Sequence, residues 1–358
     1  MFNLKKNYTM NNSKTIVFIL SFISPFMLIS QKEGVTFNTL PNKDIEVKIN
    51  GKLFTQYFIS QNEEVKKPVL YPLITENGQL LTRGYPVAPR AGERIDHPHH
   101  VGLWLNYGKV NGIDYWNNSR EILTTGDPKN YGLVKHQAVT KIKPGKDKGE
   151  LSIRAGWFEA DGKGKEVLEE NTTFIFGTHP LGRYIDRITT LKALVESVYF
   201  KDDKEGMIAI RVARELEHPS NKPEIFTDAQ GKETNVPTLD NTGVTGEYLS
   251  SEGIKGEEVW STRAKWMRLG GMIKDKPVSI TILDHPKNKS YPTYWHARGY
   301  GLFSANPLGA NIFSKGKDSL NLTLKKGEEV TFRYRILIAD RLPDASILDK
   351  EAAEFGKK

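Results

Sequence analysis

The sequence predicts an all-β fold, a large twisted antiparallel β-sandwich that ends in one short helix. Three observations predict it. Apolar and polar residues alternate with a period of two through most of the chain beyond residue 30, as in strands that bury one face. Turn signals such as Asn50-Gly51 separate these segments. Helical periodicity is confined to one segment near the C-terminus, and many strands with almost no helix indicate a sandwich or barrel.

The first predicted element is a hairpin, in which two alternating segments, 45–49 and 53–57, flank Asn50-Gly51. Further strands are predicted at residues 69–75, 134–143, 151–159, 172–176, 207–213, 278–283, 320–324 and 330–338. Residues 184–200 predict either one long strand or two. Residues 345–355 predict the helix, since acidic residues come early and lysines follow its end.

One long stretch, residues 219–246, lacks periodicity and is polar, with Pro223, Pro237 and several glycines. Loops of this length inside a compact domain are usually functional or disordered. We expect a surface excursion near the mouth of a pocket rather than a linker. No internal repeat is evident, so residues 31–358 are predicted to form a single β-sandwich domain.

The N-terminal residues 1–30 predict a cleaved secretory signal peptide. Lys5, Lys6 and Lys14 precede the apolar, uncharged residues 15–30, and the chain turns polar at Gln31. A membrane anchor is the alternative, but the run is shorter than the ~20 residues that span a bilayer and contains Pro25. The mature protein is therefore predicted to be periplasmic or secreted, with no integral membrane association after cleavage.

Composition excludes several classes of function. The chain has no cysteine, which excludes disulfides, thiolate metal sites, cysteine nucleophiles and a lipid anchor on an N-terminal cysteine. The formal net charge of +8 is interspersed rather than gathered in a stripe, so no nucleic-acid partner is expected. The sequence lacks a G-x-S-x-G elbow, a Walker loop and a dinucleotide-binding glycine motif.

Two stretches, residues 85–116 and 284–309, concentrate side chains that transfer protons, hold metals or stack on sugar rings. The candidate site residues in the first are Glu93, Arg94, Asp96, His97, His99, His100, Trp104 and Asn106. Those in the second are His285, Tyr294, Trp295, His296, Arg298 and Asn306. We predict that the fold brings both stretches to one concave pocket, with Trp104 or Trp295 on its wall.

The histidine triplet is the densest part of this chemistry. Pro98 favours an extended His97, which would place His97 and His99 on one face of a strand and His100 on the other. Imidazole serves as a metal ligand and as a general base. A divalent metal is thus possible, although no H-E-x-x-H, EF-hand or facial-triad spacing is present. The alternative is a hydrogen-bonded loop cluster without a reactive role.

The alternation of a strand also predicts which side chains of the second stretch share a face. If residues 294–298 are extended, Tyr294, His296 and Arg298 share one face and Trp295 lies on the other. That face would present phenol, imidazole and guanidinium groups together. The aromatic residues could equally belong to the core, which is the usual place for a tryptophan in a β-sandwich.

Three segments resemble an exported bacterial family that is common in polysaccharide-degrading Bacteroidetes and Planctomycetes and labelled the methane oxygenase PmoA family. They read HPHHVGLW from His97, KEGMIAIRVA from Lys204 and DHPKNKSYPTYWHARGYGLFSANPLG from Asp284. The resemblance implies a supersandwich fold similar to galactose mutarotases, in which sugars bind on a concave sheet. It also implies a carbohydrate setting, since relatives occur near, and sometimes fused to, sugar oxidoreductases of the Gfo/Idh/MocA type.

Two classes of function follow from these residues and this setting. The first is an enzyme that epimerises, eliminates or hydrolyses a sugar or modified glycoside and needs an acid and a base. His97, His99, His285 and His296 are then candidate bases. Glu93, Asp96 or Glu205 would be the acid and Arg298 the charge stabiliser. The remaining candidates would bind substrate. The second is a glycan-binding protein of a polysaccharide-utilisation system without turnover.

Overall fold

Two large antiparallel sheets face each other across a common hydrophobic core. The structure is a computed structural model that describes residues 34–59, 65–228, 232–236 and 240–358. The strands of these ranges are, in chain order, β1 (Val35–Thr39), β2 (Ile45–Ile49), β3 (Lys52–Phe58), β4 (Val69–Leu70), β5 (Leu103–Leu105), β6 (Leu133–Lys143), β7 (Lys148–Phe158), β8 (Glu166–His179), β9 (Gly182–Ala193), β10 (Ser197–Phe200), β11 (Ile208–Arg211), β12 (Glu224–Thr227), β13 (Glu233–Val236), β14 (Glu247–Ser250), β15 (Trp266–Ile273), β16 (Lys276–Asp284), β17 (Tyr294–Arg298), β18 (Leu302–Asn306), β19 (Leu322–Lys325) and β20 (Glu329–Ala339). The helices of the same ranges are α1 (Arg120–Thr125), α2 (Ala310–Phe313) and α3 (Ala345–Gly356), with short 3₁₀ turns at Pro128–Asn130, Ala160–Gly162, Arg214–Leu216 and Gly256–Val259.

The first sheet has the order β1-β2-β3-β4-β5-β11-β18-β17, and the second has the order β14-β15-β16-β20-β9-β8-β7-β6. Each contains eight strands, and two two-stranded sheets, β10–β19 and β12–β13, stand outside them. All pairings along both sheets are antiparallel. The predicted fold class, a large antiparallel β-sandwich with a short C-terminal helix, is confirmed.

Alternation divides each sheet into an inner and an outer face. Inward side chains of the first sheet, such as Leu103 and Phe303, meet those of the second, such as Phe174 and Ile336, in the main core. The outer face of the second sheet is covered by α3, whose apolar side chains pack on it. The outer face of the first sheet carries a smaller buried cluster around Trp104. This outer face supports the candidate site.

Period-two alternation predicted most of the strands, and the structure corrects their lengths. Residues 184–200 form two strands, β9 and β10, and the strand predicted at 172–176 extends over the whole of β8. Within the predicted strand 69–75, only β4 pairs as a strand, and it joins β5 through one residue pair, Leu70 with Leu103. The aperiodic stretch 219–246 contains the hairpin β12–β13. Strands β15, β17 and β18 are nearly continuously buried, so they show little alternation.

The predicted signal peptide lies outside the described residues, and export stays a prediction. The described residues belong to one compact unit. Among the helices that the structure describes, none combines the length and the apolar character needed to cross a membrane.

Candidate functional site

The register of four neighbouring strands brings the two predicted stretches to one face. Trp104 on β5 pairs with Ala209 on β11, Ala209 pairs with Ser304 on β18, and Ser304 pairs with His296 on β17. Directly paired residues lie on the same face of a sheet, and three strand spacings amount to about 14 Å. The first stretch and the C-terminal half of the second therefore lie side by side on the outer face of the first sheet.

His97 begins a tight turn, not the predicted extended segment. The His100 N–H donates to the His97 carbonyl at 2.9 Å, and His97 has a φ of 47°, in the left-handed region that non-glycine residues seldom occupy. The turn brings together the residues at its ends. It therefore stacks His97 on His100, with the ring planes 2° apart and centroids at 4.8 Å, instead of pairing His97 with His99.

A column of stacked rings results. The Tyr300 ring, from the turn between β17 and β18, lies parallel to His97 at 5.1 Å. His100 in turn lies 5.2 Å from the indole of Trp104. His97 is 43% exposed and Trp104 is fully buried, so the column runs from solvent to the sheet. Tyr300 thereby links the second stretch directly to the first.

Two buried arginines, Arg83 and Arg211, fix the histidine turn through hydrogen bonds. Arg211 donates to both carboxylate oxygens of Asp96, at 2.6 and 3.1 Å. Arg83 donates to Asp96 and to the carbonyls of His97 and His100. Burial alone would raise the pKa of Asp96, but the Arg211 charge, the His97 hydrogen bond and Arg83 hold that pKa well below its usual range. Asp96 is thus a fixed counter-ion that shapes the turn.

His296 and Glu205 form an adjacent imidazole and carboxyl pair. His296 Nδ1 lies 3.0 Å from the Lys204 carbonyl and 3.9 Å from Glu205 Oε2. A carbonyl only accepts, so Nδ1 carries the proton and Nε2 the lone pair. Burial lowers the pKa of His296 to about 3, and Lys204 and Arg298 act in the same direction. Burial raises the pKa of Glu205, against the opposing effect of Lys204.

We call His97, Glu205, His296, Arg298 and Tyr300 the acid–base cluster. Its members are close enough for the charge of Arg298 to add to burial in lowering the pKa of His296, and for that of Glu205 to add to burial in raising the pKa of Tyr300. Arg298 is exposed, and the Glu205 side chain retains 17% exposure. The cluster thus combines proton-transfer groups with an open side.

Among the predicted substrate-binding residues, Asn306 orients this cluster from the sheet. Its amide donates to the carbonyls of Asp203 and Lys204 at 2.9 Å, which fixes the loop that carries Glu205. Asn106 donates to the Tyr115 carbonyl and is fully buried. Asn306 therefore holds the backbone beside Glu205, whereas Asn106 holds the backbone at Tyr115.

Glu93 and Arg94 were predicted at the site, but the structure gives them other roles. The Glu93 carboxylate accepts from the backbone N–H groups of Gly84, Tyr85 and Arg90 and from the Arg90 guanidinium, so it closes a loop and is not a free acid. Arg94 donates to Glu217 at 2.7 Å and lies 3.1 Å from Glu224. Sequence spacing cannot reveal that these groups are already fully paired.

His285 does not join the acid–base cluster. Its ring meets the edge of Phe355 on α3 at 5.0 Å, which places it beside the second sheet. Asp284, just before it, accepts from Asn288 and from the Thr293 N–H and braces the loop that leads to β17. The second predicted stretch therefore divides, and only the part from β17 onward reaches the cluster.

Trp295 does not form the predicted pocket wall, and Tyr294 does not line the cluster. As alternation predicts, Trp295 faces away from His296, and it lies in the main core with its indole N–H donating to the Ala264 carbonyl. Tyr294 shares the His296 face but packs against Phe313 of α2. Both are structural aromatic residues.

A set of buried polar atoms lies directly behind the histidine turn. Within the described part of the chain, both ring nitrogens of His99, Nε2 of His100 and the indole N–H groups of Trp104 and Trp116 have no hydrogen-bond partner. Lys67 donates to the His99 carbonyl at 2.6 Å, and burial lowers its pKa to about 7 despite the attraction of Asp114. His99 and His100 also have lowered pKa values through burial. The turn thus rests on neutral imidazoles.

The predicted metal alternative gains no support from the described residues. Among them, no three histidine, aspartate or glutamate side chains converge in a way that would hold a metal ion. The physical reason is the parallel stacking of His97 and His100, because stacked rings direct their lone pairs sideways rather than toward a common point.

A cavity of about 650 Å³ lies elsewhere, beside the hairpin β12–β13. Arg90, Glu93, Arg214 and Phe226 are among its lining residues, and the candidate histidines are not. Both arginines that line it already form ion pairs, Arg90 with Glu93 and Arg214 with Glu217. The excursion 219–246 thus borders this cavity, and we place the candidate site at the acid–base cluster.

Sequence reasoning missed several residues of the site or gave them little weight. Arg211 carried a usable signal, because a charged residue in the apolar strand β11 (IAIR) must be paired when buried. Tyr300 and Lys67 had no such signal, since nothing near them in the sequence shows what they contact. Glu205 was one of three possible acids, and only the fold distinguishes it.

Comparison with known proteins identifies a family and several distant structures. A family model described as "Family of unknown function (DUF6807)" matches residues 44–353. No curated protein matches the sequence. The resemblance to the methane oxygenase PmoA family stays a prediction.

Similar solved structures include a heparan sulfate lyase from Pedobacter heparinus, at 9% identity and a TM-score of 0.34 over 88% of this chain and 36% of that one. A putative aldose 1-epimerase from Escherichia coli K12 has 9% identity and a TM-score of 0.33 over 85% and 99% of the two chains. A galactose mutarotase related enzyme from Lactobacillus acidophilus has 10% identity and a TM-score of 0.28 over 87% and 100%. Likenesses this distant carry no argument about activity.

Proposed function

Because the chain belongs to DUF6807, a family of unknown function, we propose its function from the site itself: an enzyme that acts on a sugar or modified glycoside by acid–base chemistry. One observation carries the proposal. A neutral imidazole, His296, lies 3.9 Å from the carboxyl of Glu205, whose pKa burial raises. Epimerisation, elimination and hydrolysis all need one group that takes a proton and one that gives it.

Each residue of the cluster has a role in this proposal. His296 Nε2 takes a proton from a sugar hydroxyl or from a carbon-bound hydrogen, while Nδ1 keeps its proton on the Lys204 carbonyl. Glu205 gives a proton to the oxygen that leaves or gains charge. The ring of His97, which stacks on Tyr300 with the two planes 2° apart and stays 43% exposed, supplies aromatic surface for the sugar.

A glycan-binding protein is the second candidate function. The exposed ring of His97 favours it, since aromatic contact alone suffices to bind sugars. A binding function, however, does not require that His296 lie close to Glu205. Binding without turnover would identify this alternative.

Turnover is the test of the proposed function. The full mature chain is incubated with aldoses, aryl glycosides and acidic polysaccharides, and polarimetry, reducing-end release and ultraviolet absorbance of a new C=C bond are followed. We expect one readout to respond. On that substrate, Glu205→Gln and His296→Gln should each lower kcat about 100-fold, within the usual range for a lost acid or base.

Matched controls are Glu329→Gln and His179→Gln, two residues on the second sheet. Glu329 is 53% exposed, and His179 pairs with Glu351 at 2.8 Å. Both variants should keep full activity. Unchanged kcat in Glu205→Gln and His296→Gln, with circular dichroism equal to that of the wild type, would contradict the acid–base assignment.

We also propose that the protein is exported, on the basis of the basic lead and the apolar residues 15–30. Mass spectrometry of the protein from its native host should give a mature N-terminus close to Gln31. A soluble cytoplasmic protein that keeps Met1 would contradict export.

A further inference from the structure

Arg298 is a cation without a counter-ion at the open side of the acid–base cluster. It follows His296 by two positions on β17, so both side chains share a face. Its guanidinium lies 5.5 Å from the ring centre of Trp260. Among the described residues, no carboxylate lies within ion-pair distance of it, Glu205 being engaged by Lys204 and Glu257 forming no pair.

The groups around the cluster carry an excess of positive charge. Asp96 is the carboxylate that faces both buried arginines, Arg83 and Arg211. Arg211 also lies 4.9 Å from the ring centre of Tyr300, directly behind the stacked column. The Glu217 carboxylate is bonded to Arg94 and Arg214 and is not free to compensate. Four cationic side chains, Arg83, Arg211, Lys204 and Arg298, thus lie near three acidic side chains: Asp96, Glu205 and Glu257, the last beside Gly299.

Arg298 is the member of this set that is able to receive a ligand. Arg83 and Arg211 are fully buried, and Lys204 is paired with Glu205. The Trp260 ring restrains the Arg298 guanidinium, which lowers the entropy lost when it binds. A guanidinium fork matches the two oxygens of a carboxylate or sulfate and forms two parallel hydrogen bonds with them.

We propose that the substrate of the cluster is an anionic sugar, whose carboxylate or sulfate group binds Arg298 while its ring lies against the exposed His97. This inference rests on the proposed function, since it assigns a substrate class to the same site. A neutral sugar would leave the charge of Arg298 without a counter-ion. Carboxylate and sulfate present the same oxygen pair to the guanidinium, so the probes must distinguish them.

Calorimetric binding of three matched probes tests the inference without requiring turnover. Glucuronate, glucose 6-sulfate and glucose share a pyranose ring and differ at C6. We expect at least one anion to bind the wild-type chain about tenfold more tightly than glucose, and added salt to reduce the difference. Arg298→Gln should abolish the preference, and Arg298→Lys should restore part of it, because lysine keeps the charge but loses the fork.

Arg154→Gln is the matched control, because it removes one exposed arginine from β7 on the second sheet. It should keep the preference for the anion. If Arg154→Gln and Arg298→Gln lose the preference for the anion equally, the preference is a general charge effect, and the assignment to Arg298 is overturned. Equal binding of all three probes, or no binding of either anion at millimolar concentration, would overturn the anionic substrate class. The Glu205→Gln and His296→Gln rates judge the acid–base function separately, on whichever substrate turns over.

Discussion

Replacing Asp96 by asparagine should lower the free energy of unfolding by about 3–5 kcal/mol, the usual effect of removing one partner from a buried ion pair. The carboxylate of Asp96 accepts from Arg211 at 2.6 Å and from Arg83 at 3.1 Å. Asparagine keeps the shape but leaves two buried guanidinium groups without a counter-charge. Urea unfolding followed by circular dichroism measures the loss.

The same variant should show a distinct dependence on pH. Because the folded chain holds the pKa of Asp96 below its ordinary value, its stabilisation is present above pH ~4 and is lost as the pH falls below it. The difference between wild type and Asp96→Asn should therefore shrink in acid. The control is Asp275→Asn, at an exposed turn position with a φ of 59° that asparagine also tolerates. If Asp96→Asn lowers the free energy of unfolding by less than about 1 kcal/mol at neutral pH, Asp96 does not stabilise the two buried arginines.

Replacing Lys67 by methionine should remove a pH dependence that the wild type shows above neutrality. Burial lowers the pKa of Lys67 from 10.5 to about 7. Between these values the unfolded chain binds a proton that the folded chain does not, so the stability of the wild type rises with pH. A pKa difference of this size raises the free energy of unfolding of the wild type by ~4–5 kcal/mol between pH 7 and pH 10.5. Methionine carries no proton, so this rise should vanish.

The measurement is the difference in unfolding free energy between Lys67→Met and the wild type at several pH values. The free energy of unfolding of Lys67→Met should exceed that of the wild type most at neutral pH. This excess should become smaller as the pH rises, because the wild type gains stability and the variant does not. Lys192→Met, at a side chain that is 41% exposed, should show no such trend. A constant difference for Lys67→Met would mean that Lys67 stays protonated in the folded chain.

Local patterns in the sequence predict the sheets well and the site only in part. Alternation identified β9, β16 and β20, and it placed His296 and Arg298 on one face opposite Trp295. The local rule for residues before proline failed at His97, because Arg83 bonds to the carbonyls on both sides of the turn. Tertiary contacts of that kind override a local preference.

Pairing between distant segments is the part that the sequence does not reveal. Nothing near Tyr300 indicates that it stacks on His97, and nothing near Glu93 indicates that Arg90 and three backbone N–H groups occupy its carboxylate. His285 and His296 are eleven positions apart in the chain, yet His285 follows β16 of the second sheet and His296 lies on β17 of the first. A cluster of similar residue types in sequence is therefore a weak guide to a cluster in space.

The row of paired residues from Trp104 through Ala209 and Ser304 to His296 has a consequence for how the protein acquires its site. β5, β11 and the β17–β18 hairpin are separated by long segments of the chain, including much of the second sheet. The entropy of closing those loops must be overcome before the pairs of Ala209 with Trp104 and with Ser304 contribute. We therefore expect the acid–base cluster to form late in folding, and a chain still emerging from synthesis has no site until β17 and β18 are complete.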